Sequence, residues 1–169
     1  MYPDRINLDR RGLHGVPVLA EEPGLRLLSL QHNFIKKIHN LGTFCYNLES
    51  CFYSRSFIIG TWNLELCQHT KGIIVQMVSQ EYISRLVFLD LYHNRLDHIA
   101  GLEPLANLRV LMLGKNRIRK IECLAHCPKL SVLDLHGNRI GAIVGLDKLT
   151  ELKVLNLASN LIRRVTGGE

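Results

Sequence analysis

The chain has 169 residues, 47% of them hydrophobic, and a net charge of +6. That length bounds it at about one domain, and so large an apolar share excludes wholesale disorder. The charge permits an acidic partner but is too small to demand nucleic acid.

Five cysteines occur, Cys45, Cys51, Cys67, Cys123 and Cys127, an odd number with no C-x-x-C pair. Residues 1–20 carry Asp4, Arg5, Asp9, Arg10 and Arg11 and no apolar centre, so no secretory signal is expected. There is no N-x-S/T acceptor, and no apolar run approaches the roughly 20 residues that span a bilayer. A reduced intracellular compartment, with neither a membrane nor a nucleic-acid partner, is the expectation.

In chain order, the first element is a coil of residues 1–24. Registered from Pro3, it places Ile6, Leu8, Leu13, Val16 and Leu19 at apolar positions. Arg11 stands where later coils carry Asn, and Glu22 where they are apolar. This predicts a degenerate capping repeat with a polar edge, as terminal repeats require.

The phrase L-x-x-L-x-L-x-x-N then begins at Leu25, Leu86, Leu108, Leu130 and Leu152, the last four spaced by 22 residues. Its ninth position is Asn33, Asn94, Asn116, Asn138 and Asn160. The eleventh is Ile35, Leu96, Ile118, Ile140 and Ile162, and the fourteenth Ile38, Ile99, Ile121, Ile143 and Val165. Leucines at positions four and six point inward from a short strand, because side chains alternate along it. The asparagine turns in where the strand ends, and its amide can satisfy buried backbone groups. One coil cannot cover its own apolar face, so the coils stack.

Residues 25–41 form the first full repeat. The distance from Leu25 to Leu86 is 61 residues, 39 more than one period, and the surplus falls within 42–82. That segment holds Cys45, Cys51, Cys67, Trp62, Phe44, Tyr46, Phe52, Tyr53, Phe57 and Tyr82, and no leucine phrase. It is expected to be a poorly ordered non-repeat insert, either a spliced-in segment without a role or an aromatic patch for a partner. Its removal is expected to restore an unbroken stack and raise stability. Residues 83–169 form four further repeats. The pattern stops after Val165, so the last repeat is expected to be truncated, with an exposed apolar end.

Outward strand positions make a concave face on which Phe88, Asp90, Tyr92, Met112, Asp134 and His136 are the candidate protein-binding residues. The plainer alternative is that they pack on one another. A second stripe comes from position ten, where Arg95, Arg117 and Arg139 repeat. Strands roughly 4.8 Å apart bring these guanidinium groups into a ladder that attracts carboxylates, unless it serves only as a solvated edge.

Catalytic motifs are absent: there is no G-x-x-x-x-G-K-[ST], G-x-S-x-G or H-E-x-x-H. Cys123, His126 and Cys127 invite a metal reading, but Cys127 falls on a core position and reads better as a small apolar residue. No catalytic residue, cofactor or metal is expected.

The 22-residue phrase resembles the short class of leucine-rich repeats of intracellular proteins. That resemblance implies a leucine-rich-repeat solenoid of α/β type, with short parallel strands on the concave face and 3-10 or irregular return segments. The stretches PDRINLDRRGL (3–13), LRLLSLQHNFI (25–35), FLDLYHNRL (88–96), VLMLGKNRIRKI (110–121) and VLDLHGNRI (132–140) are similar to the leucine-rich-repeat subunit of the tubulin polyglutamylase complex. This likeness implies a non-catalytic scaffold that contacts other complex subunits or acidic tubulin, in the cytoplasm on microtubules, centrosomes or cilia. It also implies that glutamate ligation is done by a different subunit. The alternatives are a regulatory subunit docking a phosphatase or other enzyme on the concave face, and a truncated splice form without stable activity.

Overall fold

The computed structural model describes residues 4–17, 19, 24–38 and 85–165. The insert at 42–82 lies outside them.

Six three-residue strands form one parallel sheet: β1 (Arg5–Asn7), β2 (Leu27–Ser29), β3 (Phe88–Asp90), β4 (Val110–Met112), β5 (Val132–Asp134) and β7 (Val154–Asn156). Each strand coincides with positions three to five of its coil, so neighbours pair without slip. Leu28 lies opposite Leu89, Leu89 opposite Leu111, and Leu111 opposite Leu133. A one-residue slip would turn the leucine row out to solvent, which pins the register.

The coil starting at Pro3 joins the same sheet through β1, with Ile6 opposite Leu28. The ladder also runs directly from β2 to β3, on either side of the long sequence gap. Coil pairing is therefore continuous, and removal of the insert is not needed to restore it.

Inward leucines at positions four and six from β2 to β5 are fully buried, as are Ile35, Leu96, Ile118 and Ile140 on the return side. Burying a leucine of this kind stabilises by about 2 kcal/mol, and together the leucine and isoleucine rows form one continuous core. In the last coil, with no further coil over it among the described residues, the inward Leu155 is 37% exposed.

The return segments are mostly irregular. Among the described residues there is one 3-10 turn, Leu124–His126, with Leu124 buried. A small second sheet, not anticipated from the repeat pattern, pairs β6 (Ala142–Ile143) with β8 (Arg164–Val165) on the return side.

Position eight has a left-handed backbone in coil after coil: Arg10, His32, His93, Lys115, Gly137 and Ser159 all have φ between 52° and 65°. The chain must turn sharply out of each strand, and this is the residue that absorbs the turn.

Candidate functional site

The asparagine row holds successive coils together. The Asn116 side-chain carbonyl accepts from the Leu96 N–H at 3.0 Å, and its amide donates to Leu91 O and Leu113 O at 3.0 Å each. Asn94 makes the equivalent bonds to Ile35 N, Leu30 O and Leu91 O. Asn138 does so with Ile118 N, Leu113 O and Leu135 O, and Asn160 with Ile140 N, Leu135 O and Leu157 O. At the first junction Asn33 accepts from both Arg11 N and Leu13 N, so Arg11, which stands where later coils carry Asn, takes part only by donating its backbone N–H. Each amide thus satisfies groups from two coils at once.

The concave face is built on this frame. Position seven runs Asp9, Gln31, Tyr92, Gly114, His136, Ala158 across the sheet. Tyr92 and His136 lean toward each other over Gly114, with ring centroids 5.6 Å apart. A β-carbon on Gly114 would lie 2.6 Å from the His136 ring and 3.1 Å from Tyr92, so only glycine admits this contact. The Lys115 ammonium sits 6.0 Å from the Tyr92 ring centre, and His32 and His93 extend the aromatic surface at 4.7 Å from one another.

The nine expected docking residues are not equivalent. Phe88, Tyr92, Met112 and His136 are half-buried and present accessible surface. Asp90 and Asp134 are buried, with 5% and 8% of their surface exposed, so they are not the open carboxylates that a docking face would offer. Their oxygens are engaged locally. Asp90 accepts from the Tyr92 N–H at 2.9 Å and from the Gln31 side-chain amide at 2.6 Å. Asp134 accepts from the His136 N–H at 3.0 Å and faces His136 Nδ1 at 2.8 Å. The two carboxylates brace the turn that carries Tyr92 and His136.

Burial pushes the Asp90 carboxyl above its ordinary value of 3.8. Hydrogen bonds from Tyr92 and Gln31 oppose that shift, while the charges of Asp9 and Asp134 add to it. Asp9 meanwhile accepts from the Ser29 hydroxyl and the Gln31 N–H, which extends the polar row toward the first coil.

The arginine stripe is divided as well. The Arg95 guanidinium lies 4.2 Å from the centre of the Phe34 ring, the residue at the same position one coil earlier, so it is committed to that stacking. Arg117 and Arg139 are exposed.

Cys127 is fully buried, and its thiol is pushed up to about 11 by burial, then by the Glu103 charge. That environment suits an inert core residue. No cluster of three or more metal-ligating side chains occurs among the described residues.

Parallel three-residue strands, a leucine core and an asparagine row that bonds adjacent coils define a leucine-rich-repeat solenoid. Comparison with known proteins agrees. A leucine-rich-repeat family model matches residues 84–140, and a two-copy leucine-rich-repeat model matches residues 128–167. The chain is 38% identical over 105 residues to human leucine-rich repeat-containing protein 49, an overlap of 62% of this chain and 10% of the relative. It is 46% identical over 41 residues to the mouse protein of that name, covering 24% of this chain and 6% of the relative. The chain therefore spans only a small part of these relatives. Among solved structures it is similar to an internalin of Listeria monocytogenes, with TM-score 0.54 and 21% identity over 88% of this chain and 32% of that one. It is also similar to the ectodomain of the Arabidopsis thaliana receptor kinase GASSHO1/SCHENGEN3, with TM-score 0.56 and 26% identity over 93% of this chain and 15% of that one.

Two features of the site had only weak sequence signals. The packing of Tyr92 on His136 was signalled by a lone glycine in a row of larger residues. Position sixteen, where Gly101, Cys123 and Gly145 all adopt left-handed φ, was signalled by the recurrence of Gly-Leu after the isoleucine row.

Proposed function

We propose that this chain is a non-catalytic scaffold that binds protein partners on its concave face, as a subunit of a tubulin-polyglutamylating complex on microtubules. The observation that carries the scaffold reading is the half-exposed Tyr92–His136 pair at the centre of the sheet. These are rigid, amphipathic side chains, preorganised by buried carboxylates behind them, and such groups make energetic anchors in protein interfaces. Phe88 and Met112 lie beside them, with Arg117 and Arg139 at the strand-end edge as charged flanks. The choice of complex is supported by the likeness of residues 3–13, 25–35 and 88–140 to the polyglutamylase repeat subunit.

The test is affinity purification of the chain and of its Tyr92→Ala/His136→Ala variant from ciliated or neural cells, followed by mass spectrometry. Recovery of a tubulin glutamyl ligase by the wild type and its loss with the variant is the expected result. Recovery of a phosphatase catalytic subunit instead would replace the complex assigned here. Equal recovery by both proteins would move the binding surface off this face.

A further inference from the structure

We propose that the concave face takes a carboxamide at its centre, the Gln or Asn side chain of a protein partner, whose oxygen accepts from the Gly114 N–H beside Met112. This slot rests on the reading of the concave face as the partner surface, and it fixes the chemistry of the group received there.

The three N–H groups that follow each strand have different roles. Those at positions six and eight donate sideways to the next coil, as Leu113 N does to Asp134 O and Lys115 N to His136 O, both at 2.8 Å. The one between them, at position seven, is met by a side-chain oxygen on the concave face. Asp9 N donates to Asn7 Oδ1 at 2.9 Å and Tyr92 N to Asp90 Oδ1 at 2.9 Å. His136 N donates to Asp134 Oδ1 at 3.0 Å and Ala158 N to Asn156 Oδ1 at 3.1 Å. In the coil where position five is Ser29, Gln31 N is met from the preceding coil by Asp9 Oδ1 at 2.8 Å.

Gly114 is the exception. Its position-five residue is Met112, whose thioether is a weak acceptor, and position seven of the preceding coil is the Tyr92 ring. Among the described residues no group accepts from the Gly114 N–H. Gly114 is buried, and buried backbone donors are almost always paired.

Every acceptor in the other coils is an sp2 oxygen of Asn or Asp, so the backbone at this turn is shaped for one. Charge decides between an amide and a carboxylate. Asp90 and Asp134 lie opposite Met112 on the two neighbouring strands, roughly 4.8 Å away on either side. Both are buried, so a carboxylate brought between them would add a third negative charge where water screens poorly. A carboxamide adds no charge, and its NH2 end offers hydrogens that the two flanking carboxylates accept. The chain contains its own example, since the Gln31 carboxamide donates to Asp90 Oδ2 at 2.6 Å. A hydroxyl is also neutral, but it must accept and donate at one atom, whereas a carboxamide separates the two functions along its plane. Met112 is half-buried and unbranched, so its side chain can swing aside to admit the group. The Tyr92 and His136 rings beside Gly114 then offer apolar faces to the partner's side-chain stem.

The experiment is a proton–nitrogen NMR titration of the full chain with N-acetylglutamine N-methylamide. The glutamate, serine and methionine counterparts share its backbone amides and serve as controls. The Gly114 amide proton is expected to move downfield, saturably, and at least about threefold further with the glutamine probe than with any control. Met112→Asn puts a carboxamide where Asn7 and Asn156 have theirs. It is expected to shift the Gly114 proton downfield without any probe, to raise the melting temperature and to abolish the response to the glutamine probe. Met112→Leu, which has no acceptor, is expected to keep that response. Equal shifts with all four probes would assign the donor to peptide backbone, and a shift led by glutamate or serine would assign it to that chemistry. No shift with any probe would leave the donor to water. Each of these outcomes overturns the carboxamide slot. Its failure together with loss of cellular partners by the Tyr92→Ala/His136→Ala variant leaves the concave-face reading standing. A glutamine-led shift together with equal recovery of partners by that variant keeps the slot and removes the reading of this face as the partner surface.

Discussion

Tyr92 and His136 belong to coils separated by a third, yet their ring centroids are 5.6 Å apart, because Gly114 on the strand between them has no side chain to intervene. The contact is a property of three coils in register, and it joins the packing of the sheet to the shape of the surface it presents.

Gly114→Ala tests that dependence. The new methyl would lie 2.6 Å from His136, a distance that forces the ring to move, so a loss of about 1–3 kcal/mol is expected from overpacking. In the double variant with His136→Ala the clash partner is gone, so the two effects should be clearly less than additive in urea denaturation. Additivity would show that the glycine serves something other than the ring pair.

Asp90 makes stability depend on pH in an unusual direction for a carboxylate. Its folded pKa lies above the ordinary 3.8, chiefly through burial. The folded state therefore binds the proton more tightly than the unfolded state does, and the ionised form at neutral pH costs stability. As pH falls through the raised value toward 3.8 this group adds stability, and the gain is complete below 3.8. In Asp90→Asn the side-chain carbonyl can still accept from Tyr92, and no charge is buried. The variant should be at least as stable as wild type near pH 7, and it should lose the part of the pH slope that lies in that window. Thermal melts of both proteins from pH 3 to pH 7 would show it; parallel curves would refute the assignment.

Much of the fold is legible in the residues. The inward leucines follow from period-two alternation, and Asn33 through Asn160 mark each strand end. The burial of Asp90 and Asp134 is not legible in the same way. An acidic residue at an outward strand position looks solvated until one sees that the turn two residues on folds its N–H back onto the carboxylate. The stacking of Arg95 on Phe34 was hidden for a related reason. Phe34 occupies the arginine position of its own coil, and only the direct pairing of β2 with β3 makes the two residues neighbours.

The asparagine row should show graded energetics. Asn116→Leu strands the Leu96 N–H in the core, while the Leu91 and Leu113 carbonyls each lose one donor but keep the amide of Asn94 or Asn138. At about 1–3 kcal/mol for a buried unsatisfied group, the loss should be about 1–3 kcal/mol. Asn160 makes the same set of bonds but is only partly buried. Water can reach its partners, so Asn160→Leu should cost distinctly less. Equal losses in guanidinium denaturation would mean that the bonds matter for geometry and not for desolvation.

Position sixteen offers the reverse experiment, one in which a substitution stabilises. Gly101, Cys123 and Gly145 all sit there with φ of 74°, 59° and 74°. At Gly101 an added β-carbon would lie 2.1 Å from the Ile38 carbonyl oxygen, a backbone atom that cannot step aside. Gly101→Ala should therefore cost about 3 kcal/mol or more, combining the clash with left-handed strain. Cys123 already bears that strain as a non-glycine residue, and it makes no side-chain cap for the 3-10 turn that follows. Cys123→Gly relieves the left-handed penalty of roughly 1 kcal/mol but loosens the unfolded chain by a comparable amount. The balance at this site is set by how tightly the preceding coil crowds the β-carbon. Since the same position is intolerant of one at Gly101, relief should win, and the glycine variant should melt a few degrees higher than wild type. A lower melting temperature would mean that the coil around Cys123 has opened to accept its side chain, and that the solenoid is less regular there than its backbone angles imply.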